Sequence, residues 1–169
     1  KNGKAYTYGD TVWKDRLTAY DGQAIVYDAQ GNPTSYLGHT LTWEKGRQLK
    51  SFDGIQYTYN ASGIRTSKTV NGVTHTYTLD GTKILKEAWG GNTLVPLYDN
   101  EDSVCGVIYN GEPFYFFKNL QGDIVAVYDI NGTKLVSIHT TLGETLKLTY
   151  HKLRDTSAKT ILKTFKSRV

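Results

Sequence analysis

Sulfur and proline are scarce in this 169-residue chain, which holds one cysteine, no methionine and three prolines. The single cysteine, Cys105, excludes an intrachain disulfide and a thiolate metal cluster, and it leaves the redox compartment open. The chain also lacks any stretch near the roughly 20 apolar residues that a membrane-spanning helix needs. No N-terminal targeting segment is evident. We therefore expect a piece of a longer protein, without a transmembrane segment.

Most of the chain has no large excess of positive or negative charge, although the formal net charge of the whole chain is +4. Residues 145–169 hold seven of the 20 basic residues and one of the 16 acidic residues. Residues 1–144 therefore hold 13 basic and 15 acidic residues, a net charge of −2. Because phosphate binding requires clustered Lys and Arg, we expect no nucleic-acid partner for the body of the chain.

Tyrosine and glycine are abundant, with 13 and 17 copies, and they recur in a repeated unit. The unit is an aromatic residue, then Asp or Asn, two variable residues and Gly. In such a turn the Asp or Asn side chain accepts a backbone hydrogen bond, and Gly takes the left-handed conformation three residues later. Each copy is predicted to close a hairpin. The candidate turn residues are Tyr27, Asp28, Gly31, Asn32, Tyr59, Asn60, Gly63, Asn119, Gly122, Tyr128, Asp129 and Gly132.

Alternating residues between these turns, as in 56–59 and 74–78, indicate strands that place their aromatic side chains on one face. Asn71-Gly72 between two such segments is a strong signal for a two-residue hairpin. No sustained helical period occurs before residue 145. We predict an all-β fold of consecutive antiparallel β-hairpins that form a curved repeat ribbon, with an irregular or partly helical C-terminal tail.

Residues 6–10, 17–22, 27–33 and 43–49 occur in an order that resembles the tyrosine-aspartate or RHS repeats of bacterial surface and toxin-delivery proteins. Residues 115–123 are similar to the segment that begins the RHS repeat-associated core. The resemblance implies a non-catalytic structural segment of a secreted or cell-surface β-shell, which encloses and delivers a C-terminal toxin. The implied partners are neighbouring repeats of the parent chain and the enclosed toxin domain, with no cofactor and no enzyme activity. The Asp-Pro-hydrophobic-Gly cleavage motif of that family has no match here.

The repeat pattern stops after Val136. We therefore expect residues 1–136 to be repeats that run into the start of the core, and residues 137–169 to be a divergent basic tail. The tail is interpreted as a disordered segment or as a frameshift product, because codons for residues 137–144 exist that encode a tyrosine-aspartate strand in another frame. A variable C-terminal domain is the alternative, although about 25 residues is below the roughly 40 at which a chain usually folds without disulfides or metals.

Candidate catalytic and metal-binding groups are sparse. The four histidines, His39, His75, His139 and His151, are far apart and have no second ligand at the spacing of a zinc site. We interpret Cys105 as a buried strand residue and the acidic residues 99–102 as a solvated loop. No catalytic, cofactor-binding or metal-ligating residue is assigned.

Two alternative functions remain. The first is a carbohydrate- or cell-surface-binding module that uses exposed aromatic residues such as Trp43 and Trp89. The second is a nuclease-like effector, for which the sequence offers a basic tail, including Arg154 and Lys159, but no cluster of acidic residues and histidine.

Overall fold

The structure is a computed structural model that describes residues 3–140 and 146–150, with side chains as far as Ser137. Within these ranges the chain contains strands and no helix. The prediction of an all-β fold of consecutive antiparallel hairpins is confirmed. Gly, Asn and Asp are found at the turns, where their tolerance of a left-handed backbone is needed. Thr, Tyr, Val and Ile are frequent in the strands between the turns, where β-branched and aromatic side chains pack well.

The strands are numbered in chain order. The first eight are β1 (Tyr6–Thr7), β2 (Ala19–Tyr20), β3 (Gln23–Ala24), β4 (Val26–Tyr27), β5 (Pro33–Tyr36), β6 (His39–Glu44), β7 (Gln48–Phe52) and β8 (Ile55–Tyr59). The others are β9 (Arg65–Val70), β10 (Val73–Asp80), β11 (Lys83–Trp89), β12 (Asn92–Tyr98), β13 (Val104–Tyr109), β14 (Glu112–Lys118), β15 (Ile124–Tyr128), β16 (Lys134–Thr140) and β17 (Leu146–Tyr150).

The described strands form two sheets in which sequence neighbours are also spatial neighbours. Strands β1, β2 and β3 form a small sheet, and β4 to β17 follow one another in a sheet of 14 strands. Each pairing for which a register is defined is antiparallel, as in β8 with β9, where Gln56 lies opposite Thr69. Within each of the two described sheets, consecutive strands are therefore neighbours and no crossover occurs.

The two-residue turns require a left-handed backbone. In the hairpin between β9 and β10, Asn71 has a φ of 49° and Gly72 a φ of 78°. This combination of two positive φ angles is that of a type I′ turn, whose twist matches the twist of the flanking strands. Asn71-Gly72 therefore forms the hairpin that the sequence predicted.

The chain divides into two compact units, Lys1–Tyr77 and Thr78–Val169. Among the described side chains of the first unit, Ile25 is the only hydrophobic one that is buried. The second unit has a core of buried side chains on β12 to β16. The core residues are Leu94, Val107, Tyr109, Phe114, Val127, Leu135 and Val136. Burying such side chains stabilises a fold by about 1.5–3 kcal/mol each.

The C-terminal tail is described only in part. Leu146–Tyr150 forms β17, which pairs with β16, so this piece is extended rather than helical. Residues 141–145 and 151–169 lie outside the described residues. The expectations of an irregular or partly helical conformation and of a divergent basic tail therefore concern residues that are mostly outside the described part of the chain. No helix long and apolar enough to cross a membrane occurs in the described part of the chain.

Candidate functional site

Five turns share one hydrogen-bond arrangement. In the turn after β8, Asn60 Oδ1 accepts hydrogen bonds from the backbone N–H groups of Ser62 at 3.0 Å and Ile64 at 2.9 Å. The backbone closes the same turn, because Gly63 N–H donates to Asn60 O at 3.0 Å. The side chains at the equivalent position of the other turns are Asp28, Asp99, Asn119 and Asp129.

The turn that begins at Asp99 was not recognised from the sequence, where it was interpreted as a solvated acidic loop. The usual glycine is replaced by Asp102, which has a φ of 59°. The ammonium of Lys83 forms an ion pair with the Asp102 carboxylate. The aromatic residue Tyr98 before Asp99 was the available signal, and the missing glycine concealed it.

Tyrosines that precede the turns bind backbone carbonyl groups of an earlier strand or loop. The Tyr59 hydroxyl donates to Leu49 O at 2.8 Å, the Tyr27 hydroxyl donates to Leu17 O at 2.7 Å, and the Tyr98 hydroxyl donates to Ile84 O at 2.8 Å. Each of these three rings also faces a cation, and the Tyr128 ring does so as well, with the Lys134 ammonium 5.7 Å away. The phenol thus connects each of the first three turns to the preceding hairpin.

Asp28 accepts hydrogen bonds through both of its carboxylate oxygens. Its Oδ2 accepts from Asn32 Nδ2 at 2.9 Å, and its Oδ1 accepts from the Asn32 backbone N–H at 2.8 Å. Asn32 is buried, with 6% of its surface exposed, and it also donates to Gly46 O at 2.6 Å. The Asn32 side-chain and backbone hydrogen bonds lower the pKa of Asp28.

A polar cleft of about 320 Å³ lies on one face of β6, β7, β8 and β9. Five of its nine lining residues are Ser or Thr, although carbon atoms contribute more of the lining surface than polar atoms do, and several of the hydroxyl groups are paired across strands. The Thr42 hydroxyl lies 2.6 Å from that of Ser51, and the Thr58 hydroxyl lies 2.7 Å from that of Ser67. A site lined in this way suits a ligand that itself carries hydroxyl groups.

His39 and Asp53 form an acid–base pair at the hairpin between β7 and β8. His39 Nδ1 lies 2.6 Å from Asp53 Oδ2, and the imidazole packs on Phe52 with ring centroids 4.8 Å apart. The hydrogen bond from the Thr40 backbone N–H, followed by the contact with His39, lowers the pKa of Asp53. A carboxylate that holds one imidazole nitrogen leaves the other nitrogen to exchange a proton, so this pair has the elements of a general base.

The other candidate groups do not converge. In the described part of the chain, no group of three or more His, Cys, Asp and Glu side chains could hold a metal ion. Cys105 is half-buried in β13, and its thiol donates to Leu97 O at 3.4 Å. His75 lies on β10, opposite Lys68 of β9. The side chain of His139 and all of His151 lie outside the described residues.

The comparisons with known proteins point to one group of enzymes. The chain is 31% identical over 132 residues to the tRNA3(Ser)-specific nuclease WapA of Bacillus spizizenii, which covers 72% of the chain. It is 32% identical over 129 residues to the tRNA nuclease WapA of Bacillus subtilis, and 31% identical over 129 residues to the tRNA(Glu)-specific nuclease WapA of Bacillus subtilis subsp. natto, each covering 70% of the chain. The chain spans about 6% of the length of these relatives. No family model matches it.

These findings correct the identification that was based on the turn motif. The relatives bear the names of tRNA nucleases, and no match to an RHS or tyrosine-aspartate family model supports the resemblance. The physical reason is that an aromatic residue followed by Asx and Gly reports hairpin geometry, which proteins of different activities share.

The functional expectations derived from that resemblance are corrected with it. The names of the relatives as nucleases contradict three expectations. These are the non-catalytic segment of a toxin-enclosing shell, the glycan-binding alternative and the absence of enzyme activity. The partners expected from the resemblance were also wrong, because the relatives are named for their action on tRNA. Those expected partners were neighbouring repeats, an enclosed toxin and cell-surface glycans, and nucleic acid was not expected. The net charge of −2 is an average over residues 1–144, and such an average is insufficient ground for excluding RNA.

Proposed function

We propose that this chain is a segment of a nuclease that acts on tRNA. The observation that carries the proposal is the identity of 31–32% to three tRNA nucleases over 70–72% of the chain. The cleavage activity is proposed for the whole protein, because the chain spans about 6% of the length of these relatives. A secreted or cell-surface location is part of the same proposal.

The described residues support a limited set of roles within such an enzyme. The Asx turns, with Asp28, Asn60, Asn119 and Asp129 as their first residues, are proposed to fix the hairpins and thereby the sheet faces. His39 with Asp53 has the geometry of a general base, which in RNA cleavage takes the proton of a ribose 2′-hydroxyl. The proposed division of the chain at residue 136, with a distinct segment after it, is retained as a proposal.

The test is the integrity of tRNA in cells that express the protein. The 169-residue chain and the product of the complete reading frame that contains it are induced separately, and tRNA is examined by hybridisation and by sequencing of fragment ends. We expect tRNA fragments with a defined end from the complete product. Intact tRNA at levels of protein that are confirmed by immunoblotting would contradict the proposal. If the 169-residue chain alone cleaves tRNA, His39→Gln should reduce that activity at least about tenfold, as loss of a general base does.

A further inference from the structure

The polar cleft on β6 to β9 combines two cross-strand rows. The strand registers place Thr42, Ser51, Gln56 and Thr69 opposite one another in a first row. Thr58 and Ser67 face each other in a second row. Side chains two residues apart share a face of a strand, so both rows lie on the same side of the sheet.

Each hydroxyl pair has unused hydrogen-bonding capacity. When two hydroxyl groups pair, one proton and one lone pair are used, and one O–H donor and further lone pairs remain. The pair Thr42–Ser51 therefore presents both a donor and acceptors to the cleft. The Thr58 hydroxyl contacts that of Thr66 at 3.0 Å in addition to that of Ser67, so this group of three hydroxyls retains one O–H donor and its remaining lone pairs. Gln56, which is exposed between the two pairs, adds an amide with the same dual character.

Two opposite charges accompany these neutral groups. Lys50 is exposed and lines the cleft together with Glu44. Lys50 occupies the extra position of a β-bulge, because Thr42 pairs with Ser51 and Trp43 pairs with Leu49. Within the described residues, neither Lys50 nor Glu44 forms an ion pair. The Lys50 ammonium is therefore available to an anion, and the Glu44 carboxylate can accept a hydrogen bond from a hydroxyl or amino group.

A ligand that carries hydroxyl groups beside a phosphate matches this combination. The ribose of RNA has a 2′-hydroxyl that both donates and accepts hydrogen bonds, and this group distinguishes RNA from DNA. The volume of about 320 Å³ is at the lower end of the range of small-ligand sites, about 300–1,000 Å³, which fits a sugar–phosphate unit of a single strand better than a duplex.

We propose that the cleft between Thr42 and Thr69 binds the ribose-phosphate backbone of single-stranded RNA, with hydroxyl pairs on the ribose and Lys50 on the phosphate. This inference rests on the proposed function, because the tRNA-directed activity of the relatives favours RNA over other hydroxyl-bearing ligands. The inference adds three points to the proposed function: where RNA binds, that the bound RNA is single-stranded, and why DNA binds less tightly.

The test is binding of fluorescent 12-nucleotide strands of identical sequence, one RNA and one DNA, to the 169-residue chain. We expect RNA to bind at least about fivefold more tightly than DNA. Lys50→Gln and the double variant Ser51→Ala, Thr58→Val should each weaken RNA binding by roughly three- to tenfold, the usual effect of losing one or two hydrogen bonds. The double variant should also reduce the preference for RNA, because it removes groups that contact the ribose.

Matched controls lie outside the cleft. Lys86→Gln removes an exposed charge on β11, and Thr78→Val removes an exposed hydroxyl on β10. Both should leave RNA affinity unchanged, and far-ultraviolet circular dichroism establishes that every variant keeps its sheet. Absence of RNA binding, equal binding of DNA, equal effects of cleft and control variants, or displacement of RNA by a neutral oligosaccharide would each overturn the inference.

The two proposals fail separately. If tRNA stays intact in cells while the cleft variants lose RNA binding, the proposed function fails and the binding site stands. If tRNA is cleaved and the cleft variants bind RNA like the unaltered chain, the proposed function stands and the binding site fails.

Discussion

Asn110 and Thr93 exchange two hydrogen bonds at the end of the hairpin between β13 and β14. The Asn110 backbone N–H donates to Thr93 O at 3.0 Å, and the Thr93 backbone N–H donates to Asn110 Oδ1 at 2.8 Å. In an antiparallel pair the two backbones normally exchange both bonds. Here Asn110, with a φ of 50°, substitutes a side-chain oxygen for a backbone carbonyl. Asp53 and Thr40 repeat this arrangement at the hairpin between β7 and β8.

We predict that Asn110→Ala destabilises the protein more than Asn71→Ala. Both asparagines occupy the left-handed region, with φ of 50° and 49°, so both variants incur the same backbone strain. Only Asn110→Ala also removes the bonds to Thr93 and to Asn92 Oδ1. The difference in the free energy of unfolding should be about 1–2 kcal/mol, measured by urea denaturation. Equal losses in the two variants would show that the side-chain bonds contribute nothing.

A second prediction concerns the tyrosine that precedes each turn. Tyr59→Phe removes the hydroxyl that donates to Leu49 O in a half-buried position and should cost about 1 kcal/mol. Tyr36→Phe is the control, because Tyr36 is 38% exposed and the described residues show no hydrogen bond from its hydroxyl. Thermal unfolding of the two variants gives the comparison. A lower midpoint for Tyr36→Phe than for Tyr59→Phe is the opposite of what we expect.

Much of this fold is predictable because the turn chemistry is local. Asn60 and Gly63 satisfy the backbone within five residues, so the pattern is visible in the sequence without knowledge of the partners. The turn at Asp99 was missed because Asp102, rather than glycine, adopts the positive φ. Its ion pair with Lys83, which precedes it by 19 residues, cannot be inferred from local sequence.

The polar cleft was not predictable for a different reason. Its hydroxyl pairs depend on cross-strand register, and the register shifts at bulges between Thr42 and Trp43 and between Thr58 and Tyr59. A shift of one residue moves a side chain to the opposite face of the sheet. Neither bulge has a signal in the sequence as clear as that of Asn71-Gly72. The activity for which the relatives are named is still less accessible from sequence, since turn motifs specify backbone geometry and not chemistry.

The third prediction follows from the lowered pKa of Asp28. Its side-chain and backbone hydrogen bonds with Asn32 favour the ionised form in the folded state. The resulting stabilisation is present above the ordinary aspartate pKa of about 3.9, and it is lost as the pH falls through the lower pKa of the folded state. The midpoint of urea unfolding should therefore fall on acidification from pH 5 to pH 2.

Asp28→Asn separates this contribution from that of other carboxyl groups. The variant should be less stable at pH 7, because an amide NH2 group, which donates and does not accept, replaces the oxygen that accepts the Asn32 Nδ2 bond. The difference between the variant and the unaltered protein should shrink as the pH falls, since Asp28 then becomes neutral in both states. Two curves that stay parallel from pH 7 to pH 2 would contradict this prediction.

The last prediction concerns Gly106, a strand glycine with no turn role. A Cβ atom at this position would lie 2.5 Å from Phe114 O and 3.4 Å from Leu97 Cδ1. Because the first contact is with backbone of the neighbouring β14, relief requires movement of that strand against a core that includes Val107 and Phe114. Overpacking of a close-packed core typically costs about 1–3 kcal/mol. Gly106→Ala should therefore lower the free energy of unfolding by about 2 kcal/mol or more.

Cys105→Ala, at the adjacent half-buried position, is the control and should cost less, because it removes one weak thiol hydrogen bond and adds no atom. Urea denaturation measures both, and a Gly106→Ala variant as stable as the unaltered protein would mean that β14 moves freely at this point.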